Sequence, residues 1–340
     1  MTRISVLMPV KDGARWLPAA LRSLARQSRP ADEIVVVDDA SADATYAVLS
    51  SWARRLPLKV VRGEGRGIAR ALNRGLAECG GELIARMDAD DVSHPHRLAA
   101  QEQLLSARPD VGVCGTEVLS FPASRVTERR VAYDAWLSAL RTPEEHARDI
   151  YVEAPICHPT ACFRAEVLRA AGGYHDVPWP EDYDLWLRLH GRGVRMAKPT
   201  GVLHFWREGE TRLSRRSGCY SLHAIRACRL HHLVQHFALR ARGVVMVGAG
   251  LEGKAAARVL IGHGVTVYGH VDADPRKVGG RLMGEGGVRV WPVRELPRLM
   301  GEPTSPVAVV AIGTHGARPS VRAEMPALGL TEQVNAVVVA

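Results

Sequence analysis

Five aspartates follow two apolar runs within the first hundred residues: Asp38, Asp39, Asp88, Asp90 and Asp91. Carboxylates two residues apart, as in Asp88-Ala89-Asp90, can share one hard divalent cation, directly or through water. Such a cation neutralises the charge on a departing diphosphate. Turns and helix caps also use aspartate. Two acidic clusters at one edge of a sheet nevertheless favour a site for Mn²⁺ or Mg²⁺.

A second acidic group lies in the stretch 179–186 and contains Glu181, Asp182 and Asp184. Carboxylates at the start of a helix stabilise the positive end of its dipole, which is a purely structural role. The neighbouring aromatic residues also suit a sugar or hydroxyl acceptor, and one carboxylate could act as the general base. The residue types leave both interpretations open.

The stretch 204–214 is rich in arginine, and its guanidinium groups could bind a diphosphate. Arg207 is the first of these arginines. Arginines are frequent along the whole chain, so ordinary surface residues are the competing interpretation.

The pattern of apolar residues predicts the frame that positions these groups. Buried strands are expected at residues 4–10, 34–37, 58–61 and 82–87, with helices at 16–27 and 67–79. Continuous Val/Ile runs separated by helices are typical of a parallel sheet covered on both faces. Ligands of such sheets bind beyond the carboxyl ends of the strands, where the aspartates lie. Further strands are expected at 111–114 and 160–163, and helices at 165–171 and 183–190.

The alternation of strands and helices restarts at residue 243 and predicts a small second α/β domain with five strands. Gly248, Gly250 and Gly253 form a GxGxxG pattern after a strand and before a helix, and Asp272 follows about twenty residues later. This spacing predicts that a dinucleotide binds with its pyrophosphate at the helix N-terminus. Close packing of strand and helix would also need these glycines. No Tyr-x-x-x-Lys pair occurs in the chain, so ligand binding is expected there rather than redox chemistry.

These patterns divide the chain into residues 1–214, a basic connecting helix at 215–242 and a domain at 243–340. Leu230, Leu233, Val234 and Phe237 lie on one face of the connecting helix. We expect this face to pack on the first domain.

The composition excludes several classes of protein. The 340 residues carry a net charge of +9, but the basic residues are scattered, so no nucleic-acid partner is expected. No apolar run is long enough to span a bilayer, and the first residues lack the pattern of a signal peptide. The six cysteines form no CxxC pair, which indicates reduced thiols. The expected location is the cytoplasm, with at most peripheral contact at the inner face of the membrane.

Five stretches, in order, resemble the family 2 glycosyltransferases: ISVLMPVKDG, EIVVVDDASADAT, RGIARALNRGLAECGGELIARMDADDVSHPHRL, HPTACFRAEVLRAAGGY and EDYDLWLRL. The resemblance covers roughly residues 2–214. It implies a GT-A fold and an inverting, metal-dependent transfer of a sugar from a nucleotide-diphospho sugar to a hydroxyl acceptor. The acceptor would belong to a polysaccharide, glycolipid or natural product, and the resemblance slightly favours UDP as the nucleotide.

The resemblance also implies roles for individual residues. The nucleotide and sugar would be bound by Pro9, Val10, Asp39, Arg66, Asp88 and Arg207. Asp88 and Asp90 would hold the metal.

Asp182 would deprotonate the acceptor, with Glu181 beside it. Gly209 stands where many relatives carry a histidine, so a third metal ligand from this loop is not expected. His204 is a weaker candidate for that third metal ligand.

The ending WREGETRLSR followed by GAGxxGK is similar to a subset of bacterial family 2 transferases that carry a Rossmann-like appendage. Two alternative functions stay open. One is a sugar-nucleotide oxidoreductase or epimerase that uses this second domain, and the other is a non-catalytic sensor of nucleotide sugars.

Overall fold

The structure is a computed structural model that describes residues 2–209, 212–282, 287–301, 304–313 and 316–340. The chain divides into two compact units. The first unit runs to Ala147 and resumes over Ala154–Ser217. The second consists of Arg148–Glu153 and Gly218–Ala340.

The first 217 residues contain ten strands and nine α-helices among the described positions. The strands are β1 (Ile4–Val10), β2 (Glu33–Asp38), β3 (Leu58–Arg62), β4 (Leu83–Arg86), β5 (Val92–Ser93), β6 (Val111–Cys114), β7 (Glu117–Phe121), β8 (Cys162–Arg164), β9 (Arg195–Ala197) and β10 (Val202–Arg207). The helices are α1 (Leu17–Ala25), α2 (Thr45–Trp52), α3 (Ile68–Glu78), α4 (Arg97–Ala107), α5 (Glu128–Ala139), α6 (Pro143–Asp149), α7 (Ala165–Ala170), α8 (Glu181–Gly191) and α9 (Leu213–Arg216).

Seven of these strands form the main sheet, in the order β3-β2-β1-β4-β8-β6-β9. The four strands β3, β2, β1 and β4 are parallel, whereas β8 is antiparallel to both β4 and β6. Val10 pairs with Asp38 at the end of β1 and β2. The parallel strands therefore end at one edge of the sheet, as their apolar runs predict.

The core of the first unit follows from this sheet. Its strands are almost continuously apolar and buried, and one cluster joins β1, β2 and β4 to helix α1. Leu17, Leu21 and Leu24 of α1 recur at the helical spacing and are buried in that cluster. Burial of each such side chain stabilises the fold by about 1.5–3 kcal/mol.

A second sheet of the first unit, in the order β5-β10-β7, was not predicted. Strand β10 pairs antiparallel with β5 and parallel with β7. His204 of β10 lies opposite Ser93 of β5, just after the acidic segment that follows β4. This small sheet therefore brings residues 204–207 to the carboxyl end of β4.

The second unit contains six strands and five α-helices among its described residues. The strands are β11 (Val244–Val247), β12 (Val267–Asp272), β13 (Arg281–Leu282), β14 (Val288–Pro292), β15 (Val307–Val310) and β16 (Ala336–Val338). The helices are α10 (Leu222–His236), α11 (Leu239–Arg242), α12 (Leu251–Gly262), α13 (Leu296–Met300) and α14 (Ala317–Glu324).

The strands of the second unit form one sheet in the order β13-β14-β12-β11-β15-β16. All neighbours are parallel except β13, a two-residue strand that pairs antiparallel with β14. Counted from β11, the five parallel strands follow the order 3-2-1-4-5, which is the order of doubly wound sheets. The five predicted strands are all present, and β13 is an additional short edge strand.

The segment predicted as one connecting helix is interrupted. Residues 213–242 form α9, a 3₁₀ turn, α10 and α11, and Ala238 adopts a left-handed backbone with φ of 50° between α10 and α11. Leu230, Leu233 and Val234 are buried as predicted, whereas Phe237 is half-buried. The structure groups this segment from Gly218 onward with the second unit.

A short segment from the first half of the chain also belongs to the second unit. Val152 packs in the apolar cluster that contains Val245 and Val271. Asp149 accepts a hydrogen bond of 2.6 Å from Arg322. No local pattern predicts that these six residues leave the unit around them.

Among the residues that the structure describes, no helix combines the length and the apolar character needed to cross a bilayer.

Candidate active site

Three carboxylates meet directly after β4. One oxygen from each of Asp88, Asp90 and Asp91 lies within 4.8 Å of the others. Asp91 is buried, whereas Asp88 and Asp90 are half-buried. A set of carboxylate oxygens is the ligand type that Mg²⁺ and Mn²⁺ prefer. The donor atoms of the cluster therefore fit a hard divalent cation.

The cluster is electrostatically unfavourable without a cation. Burial, and then the charges of Asp88 and Asp91, raise the pKa of Asp90 to about 7. Burial, and then Asp88, also raise the pKa of Asp91. Like charges at short distance in a desolvated position disfavour ionisation. A divalent cation would remove that repulsion.

Asp91 is held by groups of β10. His204 Nε2 lies 2.8 Å from Asp91 Oδ2, and the backbone N–H of Arg207 donates to Oδ1 at 2.7 Å. Burial, and then the positive charge of Arg97, lower the pKa of His204 well below its usual value. The ring is therefore neutral, and Nε2–H is the donor to Asp91. His204 contacts the carboxylate cluster through Asp91.

Asp88 forms an ion pair with Arg86, whose Nη1 lies 2.7 Å from Asp88 Oδ1. Arg86 is 2% exposed. Burial opposes its charge, but Asp88 outweighs that effect and raises the pKa of the guanidinium. Residues i and i+2 around a strand end lie on the same face, so this pair could have been found from the sequence.

Arg207 is fixed beside the cluster by two rings. Its guanidinium lies 4.1 Å from the ring centroid of Trp16 and 4.3 Å from that of Phe121. Its Nε donates to the backbone carbonyl of Asp90 at 2.5 Å. Stacking on the two aromatic rings and one hydrogen bond through Nε hold Arg207 beside the carboxylate cluster.

A buried acid organises the arginines after β10. Glu208 is 2% exposed and accepts hydrogen bonds from Arg212 and Arg215. Arg130 of α5 forms a third ion pair with it at 3.1 Å. Burial is the main reason that the pKa values of Asp90 and Asp91 are raised, and the positive charge of Arg212 partly counteracts that rise. Arg212 therefore lies within electrostatic reach of the carboxylates, whereas Arg215 is exposed.

The end of β2 faces a glycine-containing loop. Asp39 is buried, and its carboxylate accepts the N–H groups of Gly65 at 2.8 Å and Gly67 at 3.1 Å. Its own N–H donates to the carbonyl of Val10 at 2.8 Å. Asp39, Val10 and the loop are thus brought together, next to Pro9.

Arg66 is the predicted site residue with the weakest structural anchor. Its side chain is 62% exposed and pairs with Glu64 at 3.4 Å. Surface pairs of this kind contribute little to stability.

The acidic residues of α8 have different environments. Asp184 is buried and accepts hydrogen bonds from Arg188 at 2.7 Å and from the indole N–H of Trp179 at 3.1 Å. Arg188 in turn donates to the carbonyls of Ala171 and Gly173. Asp184 therefore fastens the start of α8 to the preceding turn.

Glu181 and Asp182 open α8. Glu181 is buried, with Oε1 3.7 Å from His158 Nδ1, whereas Asp182 is half-buried. Asp182 Oδ1 accepts the N–H of Tyr183 at 2.8 Å. Of the two predicted acids, Asp182 is the more accessible.

Arg86 connects the two acidic regions. His158 Nε2 lies 3.0 Å from the hydroxyl of Tyr174, and Arg86 interacts electrostatically with both residues and with Glu181. Burial, and then Arg86, lower the pKa of His158 well below its usual value. The start of α8 and the carboxylate cluster after β4 therefore share one buried polar region. His158 and Tyr174 lie in one of the stretches that resemble family 2 glycosyltransferases, but their spacing in the sequence does not indicate that they contact each other.

The predicted dinucleotide motif lies at the turn between β11 and α12. Asp272 Oδ2 accepts the N–H of Ala249 at 2.7 Å. A Cβ on Gly253 would lie 2.1 Å from the carbonyl oxygen of Gly248, whereas one on Gly250 would meet no atom within 4 Å. Gly253 thus allows close packing of helix on strand, and Gly250 faces open space.

The chain is similar to several known proteins. The model of glycosyl transferase family 2 matches residues 5–172. The amylovoran biosynthesis glycosyltransferase AmsE of Erwinia amylovora is 33% identical over 61% of this chain and 76% of its own length. The residues that the family model matches, 5–172, include the carboxylate cluster after β4 and end before the sheet of the second unit begins.

Two solved structures share the fold. TarS 1–349 of Staphylococcus aureus, in complex with UDP-GlcNAc, has a TM-score of 0.55, 20% identity and coverage of 76% of this chain and 71% of its own. The mannosyltransferase PcManGT of Pyrobaculum calidifontis, in complex with GDP-Man and Mn²⁺, has a TM-score of 0.50, 27% identity and coverage of 77% and 74%. The expected GT-A fold is confirmed. The chain belongs to glycosyl transferase family 2 and is a glycosyltransferase.

Proposed function

We propose that this glycosyltransferase is inverting and depends on a divalent cation bound after β4. The observation that carries the proposal is the meeting of Asp88, Asp90 and Asp91 within 4.8 Å, beside Arg207. Negative oxygens and a fixed arginine at the carboxyl end of a parallel sheet suit a cation and a diphosphate together.

Asp88 and Asp90 would hold the cation, Mn²⁺ or Mg²⁺. When bound, the cation supplies charge neutralisation to the leaving diphosphate. The complex of PcManGT with GDP-Man and Mn²⁺ supports this choice. Arg86 holds Asp88 through the ion pair of 2.7 Å, so that carboxylate is oriented before any ligand binds.

The nucleotide would lie on Pro9, Val10 and Asp39, at the ends of β1 and β2. Asp39 already positions the loop that carries Arg66 by accepting two of its N–H groups. Arg207 would donate to the diphosphate, since its guanidinium is fixed over two rings next to Asp90.

Asp182 would accept the proton of the attacking hydroxyl. In the same step the acceptor oxygen forms a bond to the anomeric carbon, the bond from that carbon to the diphosphate breaks, and the configuration inverts. Asp182 is accessible at the start of α8, whereas Glu181 is buried against His158. Glu181 would therefore shape the site beside the base.

The acceptor is proposed to be a hydroxyl of a growing polysaccharide or glycolipid, with a natural product as the further alternative. The relative AmsE is named for amylovoran biosynthesis, which supports an acceptor that belongs to a biosynthetic product. The nucleotide is proposed to be UDP, and the complex of TarS with UDP-GlcNAc supports that choice. PcManGT binds GDP-Man, so guanosine donors belong in the same test.

We also propose that residues 243–340 bind a dinucleotide at Gly248, Gly250 and Gly253, with Asp272 at its ribose. The open space at Gly250 supports this, because a phosphate could approach the backbone there. Glu252 in the first turn of α12 would repel a phosphate. Arg226 neutralises this negative charge by donating to both carboxylate oxygens of Glu252. Calorimetric titration with NAD and NADP tests the proposal, and absence of binding to either would contradict it.

The proposed transfer is tested by incubating the full chain with a panel of UDP- and GDP-sugars and Mn²⁺. We expect release of free nucleoside diphosphate with one class of donor and its loss in EDTA. NMR of the product formed with a hydroxyl acceptor then reports whether the anomeric configuration is inverted. Donor binding without release or transfer would instead indicate a sensor of nucleotide sugars.

A further inference from the structure

A chain of buried polar groups runs behind the carboxylate cluster. Arg97 of α4 is 1% exposed, His204 of β10 is 0% exposed, and Asp91 after β4 is 1% exposed. Burying charged and polar groups is unfavourable unless each is hydrogen-bonded. The hydrogen-bond partners of each of these three side chains therefore fix its orientation.

Arg97 is fixed from three sides. Its Nη2 donates to the backbone carbonyl of Arg86 at 2.6 Å, and its Nε donates to Gln101 Oε1 at 3.2 Å. Its Nη1 donates to Ser93 Oγ at 3.1 Å and lies 3.4 Å from His204 Nδ1. A guanidinium has no acceptor atom, so Nδ1 must be the acceptor in that contact.

The tautomer of His204 follows from this contact. With its lone pair on Nδ1 facing Arg97, the neutral ring carries its proton on Nε2. Nε2 lies 2.8 Å from Asp91 Oδ2 and donates to it. The other oxygen, Oδ1, accepts the backbone N–H of Arg207 at 2.7 Å.

The carboxylate of Asp91 is thus fixed through both of its oxygens, and each oxygen keeps a further lone pair. One of these oxygens lies within 4.8 Å of oxygens of Asp88 and Asp90. Hard cations bind carboxylate oxygens, and groups that hydrogen-bond to such ligands orient them.

We propose that Arg97 and His204 are positioning residues that hold Asp91 as the third carboxylate of the cation site. The inference rests on the cation site of the proposed function and adds to it one ligand and the residues that orient that ligand. His204 acts through Asp91 and does not bind the cation itself. Its role is to supply one N–H at the position of Nε2.

Two variants of the same residue separate this role from a purely structural one. In His204→Gln the amide nitrogen reaches the position of Nε2 and can still donate to Asp91. In His204→Asn the amide nitrogen ends near the position of Nδ1 and cannot. Both changes remove the ring and keep an amide side chain, but Asn is one methylene shorter, so the histidine-to-asparagine control below accounts for the loss of packing.

The readout is the Kd of Mn²⁺ for the full chain without any sugar donor, measured by calorimetry and by electron paramagnetic resonance of free Mn²⁺. We expect His204→Gln to keep the wild-type Kd and His204→Asn to weaken it about 10- to 100-fold, the usual effect of losing a partner of a metal ligand. Asp91→Asn should weaken binding by at least as much. The double variant His204→Asn/Asp91→Asn should lose no more than Asp91→Asn alone, because both changes remove one interaction.

His146→Asn is the matched control. His146 is a buried histidine of the first unit, 2% exposed, with Nδ1 2.7 Å from the carbonyl of Thr142. This variant loses a buried ring of α6 rather than of β10, and its Kd for Mn²⁺ should stay at the wild-type value.

The outcomes are distinguishable. Wild-type protein that binds no Mn²⁺ would overturn the proposed cation site and this inference with it. Wild-type binding together with a folded His204→Asn variant of unchanged Kd would overturn the inference alone. If His204→Asn does not fold, Asp91→Asn decides, and an unchanged Kd in that variant has the same consequence.

Discussion

Asp90 is the predicted cation ligand with the fewest competing contacts, because Asp88 is paired with Arg86 and Asp91 with His204. Asp90→Asn keeps the size of the side chain and removes a charge from the cluster. We expect the Mn²⁺-dependent affinity for the nucleoside diphosphate to fall more than tenfold, or about 1.4 kcal/mol. Calorimetry with and without EDTA measures this, and equal wild-type affinity in both conditions would refute the cation requirement.

Asp182 and Asp184 provide a matched pair on one helix. Asp182→Asn should bind the donor normally and lose about 10²–10⁴-fold in turnover, the usual share of general base catalysis. Asp184→Asn should instead lower the melting temperature, because its carboxylate accepts from Arg188 and Trp179. Steady-state kinetics and thermal unfolding of both variants separate the roles. An Asp182 variant with most of its transfer rate would assign the base to another group.

The raised pKa of Asp90 predicts a pH dependence of cation binding. The pKa of Asp90 in the folded protein, about 7, is higher than in the unfolded chain. Protonation of Asp90 therefore stabilises the cation-free fold fully at pH values below the unfolded pKa. This stabilisation is lost as the pH rises through about 7. Cation binding requires the ionised form, so affinity for Mn²⁺ should fall as pH drops from 8 to 6.

Proton release measures this directly. Calorimetric titration of Mn²⁺ at pH 7 in buffers of different ionisation enthalpy should show protons leaving the protein on binding. Asp90→Asn should release fewer protons than wild type. An enthalpy that is the same in every buffer would contradict the predicted protonation.

At the scale of the element, the turn between β11 and α12 distinguishes packing from ligand binding. Gly253→Ala places a methyl group 2.1 Å from the carbonyl oxygen of Gly248, so the helix must move. We expect a loss of about 1–3 kcal/mol in the stability of the second unit. Gly250→Ala should cost little, since its φ of −78° suits alanine and no atom lies within 4 Å.

Hydrogen exchange of β11 and β12 reads out this difference, because exchange from those strands follows the stability of their own unit. Faster exchange in Gly253→Ala but not in Gly250→Ala is the expected result. Equal exchange in both variants would show that the close approach does not constrain the fold.

At the scale of the whole molecule, the two units predict where the chain can be cut. The residues assigned to transfer all lie in the first unit, so residues 1–217 should fold and release nucleoside diphosphate from the donor. Residues 1–242 should behave worse, although they are longer. Helix α10 would lose its own unit, and exposing buried Leu230 and Leu233 costs about 1.5–3 kcal/mol each.

Purification of both truncations beside the full chain, with circular dichroism and donor turnover, tests the division. Residues 1–217 lose every partner of the segment 148–153 in the second unit, whereas residues 1–242 keep the contacts of Arg229 with Val152 and of His236 with Tyr151. A folded 1–217 fragment without any turnover would show that the second unit completes the active site.

Much of the main sheet was predictable from the sequence. β1 and β2 and helices α1 and α3 lie within a few residues of the apolar runs and helical spacings that predicted them. The same local pattern placed Asp39, Asp88 and Asp90 just after strands, where ligands of parallel sheets bind, and their roles stay predictions. The sequence also placed Asp182 at the start of a helix, and its role as the general base stays a prediction.

Only the tertiary structure decided what surrounds these acids. Strand β5 has two residues and β10 pairs with strands more than eighty residues away, so no local period could predict the sheet that brings His204 to Asp91. The burial of Glu208 among arginines and the membership of residues 148–153 in the second unit have the same origin. Local periodicity records which side of an element is buried, whereas the partner of a buried polar group is chosen by the packing of distant segments.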